Sequence, residues 1–141
     1  MKILVIDGQG GKMGSFLVRG IKARCPEHDI FCIGTNSIAT SAMLKAGGDH
    51  GATGENPVVR NAQDADVIVG PIGIIVADAI LGEVTEKMAA AVGSSHAKKI
   101  LVPMTSCSVL VAGTAPLPTA DYIKEAVEMT VEIIESKSLN K

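Results

Sequence analysis

The sequence has almost no aromatic residues: its 141 positions include no Trp, one Tyr and two Phe. Proteins that bind single-stranded nucleic acids usually stack the bases on aromatic side chains, so this composition argues against that function. The interior must instead be filled by Ile, Val, Leu, Met and Ala. With 47% hydrophobic and 20% charged residues, the composition is that of a globular protein.

Cysteine is scarce as well. Cys25, Cys32 and Cys107 are an odd number and include no C-x-x-C pair, which disfavours both a disulfide framework and a zinc site. No other metal-ligand spacing is visible, so we expect no bound metal.

The chain also lacks an excess of charge of one sign and a long hydrophobic run. Its 13 basic and 15 acidic residues give a net charge of -2, which provides no field that would attract a polyanion. The apolar run at the start ends at Asp7 and is too short for a signal peptide or a membrane span. We therefore predict a cytoplasmic protein that binds neither nucleic acid nor membranes.

A chain of this length is expected to form one domain, residues 1–141, and to bury about 70% of the surface that its unfolded form exposes. Strands are predicted at 3–6, 30–33, 67–69, 100–102 and 109–111, and helices at 13–21, 38–46, 76–92 and 123–134. Residues 48–61 are rich in Gly and are predicted to form a loop with one short strand at 58–59. Such a loop could fold over a binding site as a lid.

Strands that are apolar throughout and alternate with helices indicate a mostly parallel sheet with both faces covered. The predicted fold class is therefore a doubly wound, Rossmann-like, three-layer α/β/α domain. In such folds, ligands bind beyond the carboxyl ends of the strands, where the strand order reverses next to the first strand.

The segment after the first predicted strand contains four glycines in seven residues: Gly8, Gln9, Gly10, Gly11, Lys12, Met13 and Gly14. Glycines let backbone N–H groups approach a phosphate, and the helix that follows adds the positive end of its dipole. Met13 makes the segment a variant of the dinucleotide-binding turn, and Lys12 adds a positive charge. We predict that residues 8–14 bind a phosphate-bearing cofactor, the alternative being a tight strand-to-helix corner without a ligand.

The loop after the second predicted strand carries Thr35, Asn36 and Ser37, where an NAD site would normally have an acidic residue for the ribose hydroxyls. Small polar side chains with Lys12 nearby suit a phosphate, so NADP is the dinucleotide that the pattern favours. Alternatively, these three residues simply cap the next helix.

Two further loops are expected to face the same crevice. Gly70, Pro71, Ile72 and Gly73 follow one strand and are predicted to contact the cofactor, while Thr105 and Ser106 follow another and are predicted to contact a substrate. Each set could equally end a strand without binding anything. Cys107 is a candidate nucleophile, although no base is predicted next to it.

Three carboxylates remain as candidates for a role in the site. Asp49 and Glu55 lie in the predicted loop 48–61 and are possible acid-base residues. Asp7 ends the first strand, where a carboxylate would cap the N–H groups of the glycine turn, and we assign it a structural role because it would repel a phosphate.

Several segments together resemble one family over nearly the full chain. They are Val5 to Gly14, Gly34 to Gly47, Gly51 to Asn56 and Gly70 to Gly73, and they look like a family of short bacterial proteins catalogued as domain of unknown function 3842. The resemblance supports the fold and the loops and implies no reaction. Locally, Gly11 to Gly14 resembles the nucleotide-binding turn of dihydrodipicolinate reductases, which implies a cofactor turn only, because that family's second domain and catalytic residues have no counterpart here.

Three functions are therefore open. The first is a Rossmann-like nucleotide-binding protein, an oxidoreductase or a sensor of NADP, that shares its crevice across a homo-oligomer. The second is a lyase or isomerase of small phosphorylated metabolites, because Gly34-Thr35, Gly47-Gly48-Asp49 and Gly51-Ala52 resemble segments of methylglyoxal synthases, which implies a catalytic Asp49. The third is a noncatalytic partner protein that uses its final helix as an interface.

Overall fold

The computed structural model describes residues 1–105 and 108–139. In these residues the strands are β1 (Ile3–Asp7), β2 (Ile30–Gly34), β3 (His50–Thr53), β4 (Val67–Pro71) and β5 (Lys98–Val102). The α-helices are α1 (Lys12–Arg24), α2 (Ser37–Lys45), α3 (Glu55–Ala62), α4 (Glu86–Ser94) and α5 (Thr119–Leu139). A 3-10 helix, Ile72–Ile75, follows β4 directly.

The strands form one parallel sheet in the order β3-β2-β1-β4-β5. β1 lies at the centre, with Val5 opposite Cys32 of β2 on one side and Val69 of β4 on the other. The strand order therefore reverses between β1 and β4. The predicted doubly wound, three-layer α/β fold is confirmed.

The two faces of the sheet are covered by different helices. Ile3 and Val5 point to the layer that contains α1, α2 and α5, whereas Leu4 and Ile6 point to the layer that contains α3 and α4. All four side chains are at most 1% exposed. Both faces of the sheet are buried at β1, which is why the strand is apolar at every position before Asp7.

The prediction of a loop at 48–61 was wrong. β3 pairs with β2 in parallel, with Phe31 opposite His50, and α3 follows and buries Val58 and Ala62 on one side. The predicted strand at 58–59 is thus part of a helix, and this region forms the edge of the domain rather than a lid over the crevice.

Two other predicted elements differ from the structure. The helix expected at 76–92 begins only at Glu86, where the Thr85 hydroxyl accepts a hydrogen bond from the Met88 amide at 3.2 Å. Before it, Asp78, Ile80 and Leu81 adopt positive φ angles, which a helix does not allow. Residues 109–111 form no strand, and Leu110 is 96% exposed.

The final helix lies on its own domain, as its apolar spacing predicts. α5 packs against α1 and β5 and buries Ala126, Val127 and Val131. Among the helices of the described residues, none is long and apolar enough to cross a membrane. Nor do residues 1–105 and 108–139 group three His, Cys, Asp or Glu side chains as metal ligands.

Candidate functional site

The candidate site lies at the carboxyl edge of the sheet, where β1 and β4 end side by side. The glycine turn, residues 8–14, leaves β1 here and leads into α1. Pro71 and the 3-10 helix leave β4 beside it. This is the position at which the reversal of strand order opens a crevice in doubly wound folds.

The turn is closed by a hydrogen bond from the Gly11 amide to the Gly8 carbonyl at 2.9 Å. Gly11 has a φ of 72°, and a Cβ there would lie 2.8 Å from the Cα of Ala39. Gly14 lies against Met43, whose sulfur would be 2.6 Å from an added Cβ. These two glycines therefore allow α1 to pack closely on α2, which is a structural role that does not depend on a ligand.

Asp7 uses two of the N–H groups that the turn presents. One carboxylate oxygen accepts from the Gly8 amide at 2.8 Å and the other from the Gly14 amide at 2.6 Å. The pKa of the Asp7 carboxyl is raised above its ordinary value, because the effect of burial outweighs the two backbone hydrogen bonds, which lower the pKa. The structural role predicted for Asp7 agrees with these contacts.

Other donors of the turn remain available to a ligand. Within residues 1–105 and 108–139, the amides of Gly10, Lys12 and Met13 have no hydrogen-bond acceptor. The Lys12 side chain is exposed beside them, at the first residue of α1. An added Cβ at Gly10 would meet no atom within 4 Å, so a ligand can approach the backbone at this point.

Glu83 reaches the turn from the loop between β4 and α4. Its Oε1 accepts hydrogen bonds from the Gln9 amide at 3.0 Å, the Thr35 hydroxyl at 2.6 Å and the Asn36 side-chain amide at 2.7 Å. Burial raises the pKa of Glu83, but the hydrogen bonds from Thr35, Gln9 and Asn36 together outweigh burial, and the pKa lies below its ordinary value. Glu83 is therefore an ionised carboxylate held beside Gly8.

Sequence reasoning missed Glu83. It lies within the helix predicted at 76–92, and its partners are 74 positions away at Gln9 and 48 at Thr35. A carboxylate at the end of the mostly apolar segment 76–83 carries no local signal of such contacts.

A groove of about 1140 Å³ begins at the glycine turn and continues between α1 and the first turns of α5. Phe16, Ile123 and Val127 give it an apolar wall, and Pro71 and Met104 close it near the sheet. A second cavity of about 510 Å³ lies between Gln9 and the segment 76–81. Both open beside the same turn.

The other predicted cofactor contacts lie near the turn but differ in role. The Asn36 side chain caps α2 by accepting from the Ala39 amide at 2.9 Å, and it also donates to the Gln9 carbonyl at 2.9 Å. Ser37 is exposed in the first turn of α2. The two interpretations of this loop, helix cap and site, are therefore compatible for Asn36.

The loops after β4 and β5 are close to each other. An added Cβ at Gly73 would lie 3.2 Å from the sulfur of Met104, and one at Gly70 would clash with the Ile6 carbonyl. Pro71 lines the groove, while Ile72 is half-buried in the 3-10 helix. Thr105 is exposed after β5, and Ser106 and Cys107 lie outside the described residues.

The two predicted acid-base residues are not brought to the turn. Asp49 precedes β3 at the amino edge of the sheet, where it accepts from the Ile30 amide at 2.7 Å and from Lys22 at 2.8 Å. These hydrogen bonds lower its pKa, that from Lys22 more than that from Ile30. Glu55 begins α3 at the carboxyl edge, but β2 separates its strand from β1.

Comparisons with known proteins agree with this fold. The family described as domain of unknown function (DUF3842) matches residues 2–135, whereas the predicted resemblance to dihydrodipicolinate reductases is not found. No curated protein matches the sequence significantly. Among solved structures, a dodecameric FMN-dependent Ubix-like decarboxylase from Escherichia coli O157:H7 is similar, with a TM-score of 0.55 and 14% identity over 96% of this chain and 94% of that one.

Proposed function

The chain belongs to the family of domain of unknown function 3842, and from its site we propose that it binds a nucleotide cofactor whose phosphate lies on the glycine turn. The observation that carries this proposal is the groove of about 1140 Å³, which joins an apolar wall at one end to backbone donors that have no partner among residues 1–105 and 108–139 at the other. A nucleotide has the matching pair of groups, an anion and a flat ring.

The phosphate would bind the N–H groups of the turn that Asp7 does not occupy. Asp7 occupies the Gly8 and Gly14 amides, so an anion would accept from the amides of Gly10, Lys12 and Met13. These amides belong to the turn and the N-terminus of α1, where the helix dipole favours negative charge. The exposed ammonium group of Lys12 adds a screened attraction.

The ring of the nucleotide would lie against the apolar side chains along the groove. Phe16 on α1 is 43% exposed although it is a large apolar residue, and it faces the same groove as Ile123 and Val127 of α5. Sites for small organic ligands are concave and mostly apolar, with few polar anchors. The FMN-dependent neighbour, which shares only the fold with this chain, is an example of this architecture holding a nucleotide-type cofactor.

The choice of NADP within this class rested on the absence of an acidic residue after β2. Thr35 and Asn36, which were expected to meet the additional phosphate, already donate to Glu83. A 2'-phosphate would have to displace that carboxylate. The contacts of Thr35 and Asn36 are therefore compatible with a nucleotide cofactor but do not favour NADP.

The alternatives gain nothing from the structure. A lyase that uses Asp49 would need its reaction centre at the amino edge of the sheet, where Asp49 is bound by Lys22 and Ile30. A partner protein that uses α5 as its interface would need a free apolar face, whereas Val127 and Val131 pack on the domain itself.

Titration calorimetry and thermal shift with NAD⁺, NADP⁺ and FMN test the proposal, together with native mass spectrometry for a copurified ligand. Lys12→Gln is expected to weaken phosphate-dependent binding by up to about tenfold, which corresponds to about 1.4 kcal/mol. Lys45→Gln is the matched control, because Lys45 is exposed in the last turn of α2. If no nucleotide at millimolar concentration raises the melting temperature, the proposal is wrong.

We further propose that the protein is a cytoplasmic homo-oligomer. Leu110, Val111 and Leu117 are large apolar residues that are 96%, 43% and 39% exposed in one segment between β5 and α5, and a second copy of the chain would cover them. The similar decarboxylase is dodecameric. The free, buried thiols of Cys25 and Cys32 fit a reducing compartment.

A further inference from the structure

We infer that Glu83 forms a sugar subsite beside the glycine turn, where its carboxylate selects a dinucleotide with free ribose hydroxyls over one that carries a 2'-phosphate. The inference rests on the proposed function, because it names the part of the ligand that this residue would bind. It also reverses the preference for NADP that the sequence suggested.

The two carboxylate oxygens of Glu83 differ in their hydrogen bonds. Oε1 accepts all three hydrogen bonds, from Gln9, Thr35 and Asn36, and this holds the carboxylate in one orientation. In the described part of the chain, no donor lies on Oε2. Since no buried side-chain oxygen there lacks a partner, Oε2 faces solvent and is free to accept from a ligand.

The carboxylate of Glu83 lies between the glycine turn and the loop after β2. An added Cβ at Gly8 would lie 3.0 Å from Oε1 of Glu83 and 2.6 Å from Oγ1 of Thr35. The group therefore lies over the first glycine of the turn, at the end of β2. Doubly wound dinucleotide sites carry an acidic residue on the loop after β2, which accepts from the ribose hydroxyls. Here the loop after β2 carries Thr35 and Asn36, and the carboxylate arrives from another loop.

An ionised carboxylate at this position determines which ligand groups can bind there. It accepts hydrogen bonds and donates none, so a vicinal diol is a suitable partner and a phosphate is not. Hydrogen bonding to its charged form keeps Glu83 ionised at neutral pH, because it lowers the pKa more than burial raises it. A second anion at this position would meet a fixed negative charge.

A purely structural role for Glu83, tying its loop to the turn, is the competing explanation. The loop already closes on itself without the Glu83 side chain. The Asp78 amide donates to the Val84 carbonyl at 2.8 Å, and the Val84 amide donates to the Ala79 carbonyl at 3.2 Å. Val84 is 1% exposed and anchors the end of the loop in the core. The carboxylate is therefore not needed to hold the loop in place.

The inference also sets the form of the ligand. Glu83 lies on the β2 side of the turn through Thr35 and Asn36, whereas the apolar groove runs along α1 and α5. A ligand that contacts both Glu83 and the apolar groove must carry a nucleoside on each side of its phosphates. A dinucleotide does so, and a mononucleotide such as FMN does not.

The experiment compares NAD⁺, NADP⁺ and FMN by titration calorimetry on the wild-type protein and on Glu83→Gln. Wild type is expected to bind NAD⁺ about tenfold or more tightly than NADP⁺. Glu83→Gln keeps an acceptor for Gln9 and Thr35 but removes the charge, so the ratio should fall towards one. Glu86→Gln is the matched control, since Glu86 is exposed in the first turn of α4, and it should leave the ratio unchanged.

Wild-type preference for NADP⁺ would overturn the inference without the use of any variant. An unchanged NAD⁺ to NADP⁺ ratio in a folded Glu83→Gln protein would overturn it as well. Binding of FMN alone, with the same affinity in both proteins, would remove the sugar subsite and leave the proposed function intact. Failure of wild type to bind any of the three would instead contradict the proposed function itself.

Discussion

Asp49 and Lys22 form a partly buried ion pair at the amino edge of the sheet, with a distance of 2.8 Å and side chains that are 28% and 23% exposed. Asp49 also accepts from the amide of Ile30, the first residue of β2. The residue therefore links the start of β2 to the start of β3 and to α1. These contacts explain its position without a catalytic role.

Asp49→Asn is expected to destabilise the protein by about 1 kcal/mol at pH 7, because it weakens the ion pair and the bond to the Ile30 amide. The pKa of Asp49 is lowered in the folded state, by Lys22 first and Ile30 second. Its contribution is therefore present above about pH 4 and is lost as pH falls through the lowered folded value. Urea unfolding of both proteins at pH 7 and pH 3 measures this change.

Lys22→Met removes the same pair and should show a similar loss at pH 7. A difference between wild type and Asp49→Asn that is equally large at pH 3 would contradict this account. If instead the variant were as stable as wild type at pH 7 but lost activity on a triose phosphate, the lyase interpretation would gain support.

At this scale, the sequence predicted the residues whose role is local and not those whose partners are distant. Asp7 acts within one turn, so the pattern of residues 7–14 was enough to predict its structural role, whereas the packing of Gly11 against Ala39 of α2 was not predicted. Glu83 meets Thr35 and Asn36 only after β4 and β2 have been placed in one sheet. Such a contact depends on tertiary structure, and a single sequence does not encode it in any short pattern.

At the scale of elements, the loop between β4 and α4 combines close contacts with backbone strain. Asp78, Ile80 and Leu81 have φ angles of 65°, 56° and 52°, in the left-handed region that residues with a Cβ rarely adopt. Leu81 is also 94% exposed, so its side chain contributes little burial. The backbone conformation of this loop therefore costs free energy, which the burial of Leu81 does not offset.

Leu81→Asn is expected to stabilise the protein by about 0.5–1 kcal/mol, because Asn tolerates the left-handed region better than Leu. Leu110→Asn serves as the control: Leu110 is 96% exposed but does not have a positive φ, and its effect should stay within about 0.5 kcal/mol. Both are measured by chemical unfolding at low protein concentration. Equal effects of the two substitutions would show that backbone strain at residue 81 contributes nothing.

The elements that were predicted correctly are those with an apolar signature. β1, β2, β4 and β5 each contain an apolar run that Gly, Pro or Asp ends, although β5 begins with Lys98 and Lys99, and α1 and α5 have apolar residues at helical spacing. β3 has the sequence His50-Gly51-Ala52-Thr53 and no buried residue, because an edge strand is held mainly by its backbone bonds to β2. The glycines of residues 48–61 suggested a loop, yet α3 forms there and holds Pro57 in its first turn, where a helix needs no N–H donor.

At the scale of the whole molecule, the exposed segment between β5 and α5 predicts self-association. The double variant Leu110→Asp with Leu117→Asp is expected to shift the protein towards the monomer mass of 14.5 kDa in analytical ultracentrifugation. Ala112→Asp with Ala115→Asp adds the same charge to the same exposed segment without removing a large apolar side chain. A wild-type protein that sediments as a monomer at micromolar concentration would contradict the proposed oligomer.

The position of α5 after all five strands of the sheet has a consequence for folding during translation. β1, β2 and β3 are synthesised first and can pair with one another, but β1 has no neighbour on its other side until residues 67–71 have been added. On the sheet face that holds Val67 and Ile100, the part that α1 does not cover stays open for longer, because the 21 residues of α5 are made after the five strands of residues 1–105. A nascent chain stalled before α5 would therefore expose to chaperones the apolar surface of β5 and α1 that α5 covers in the folded domain.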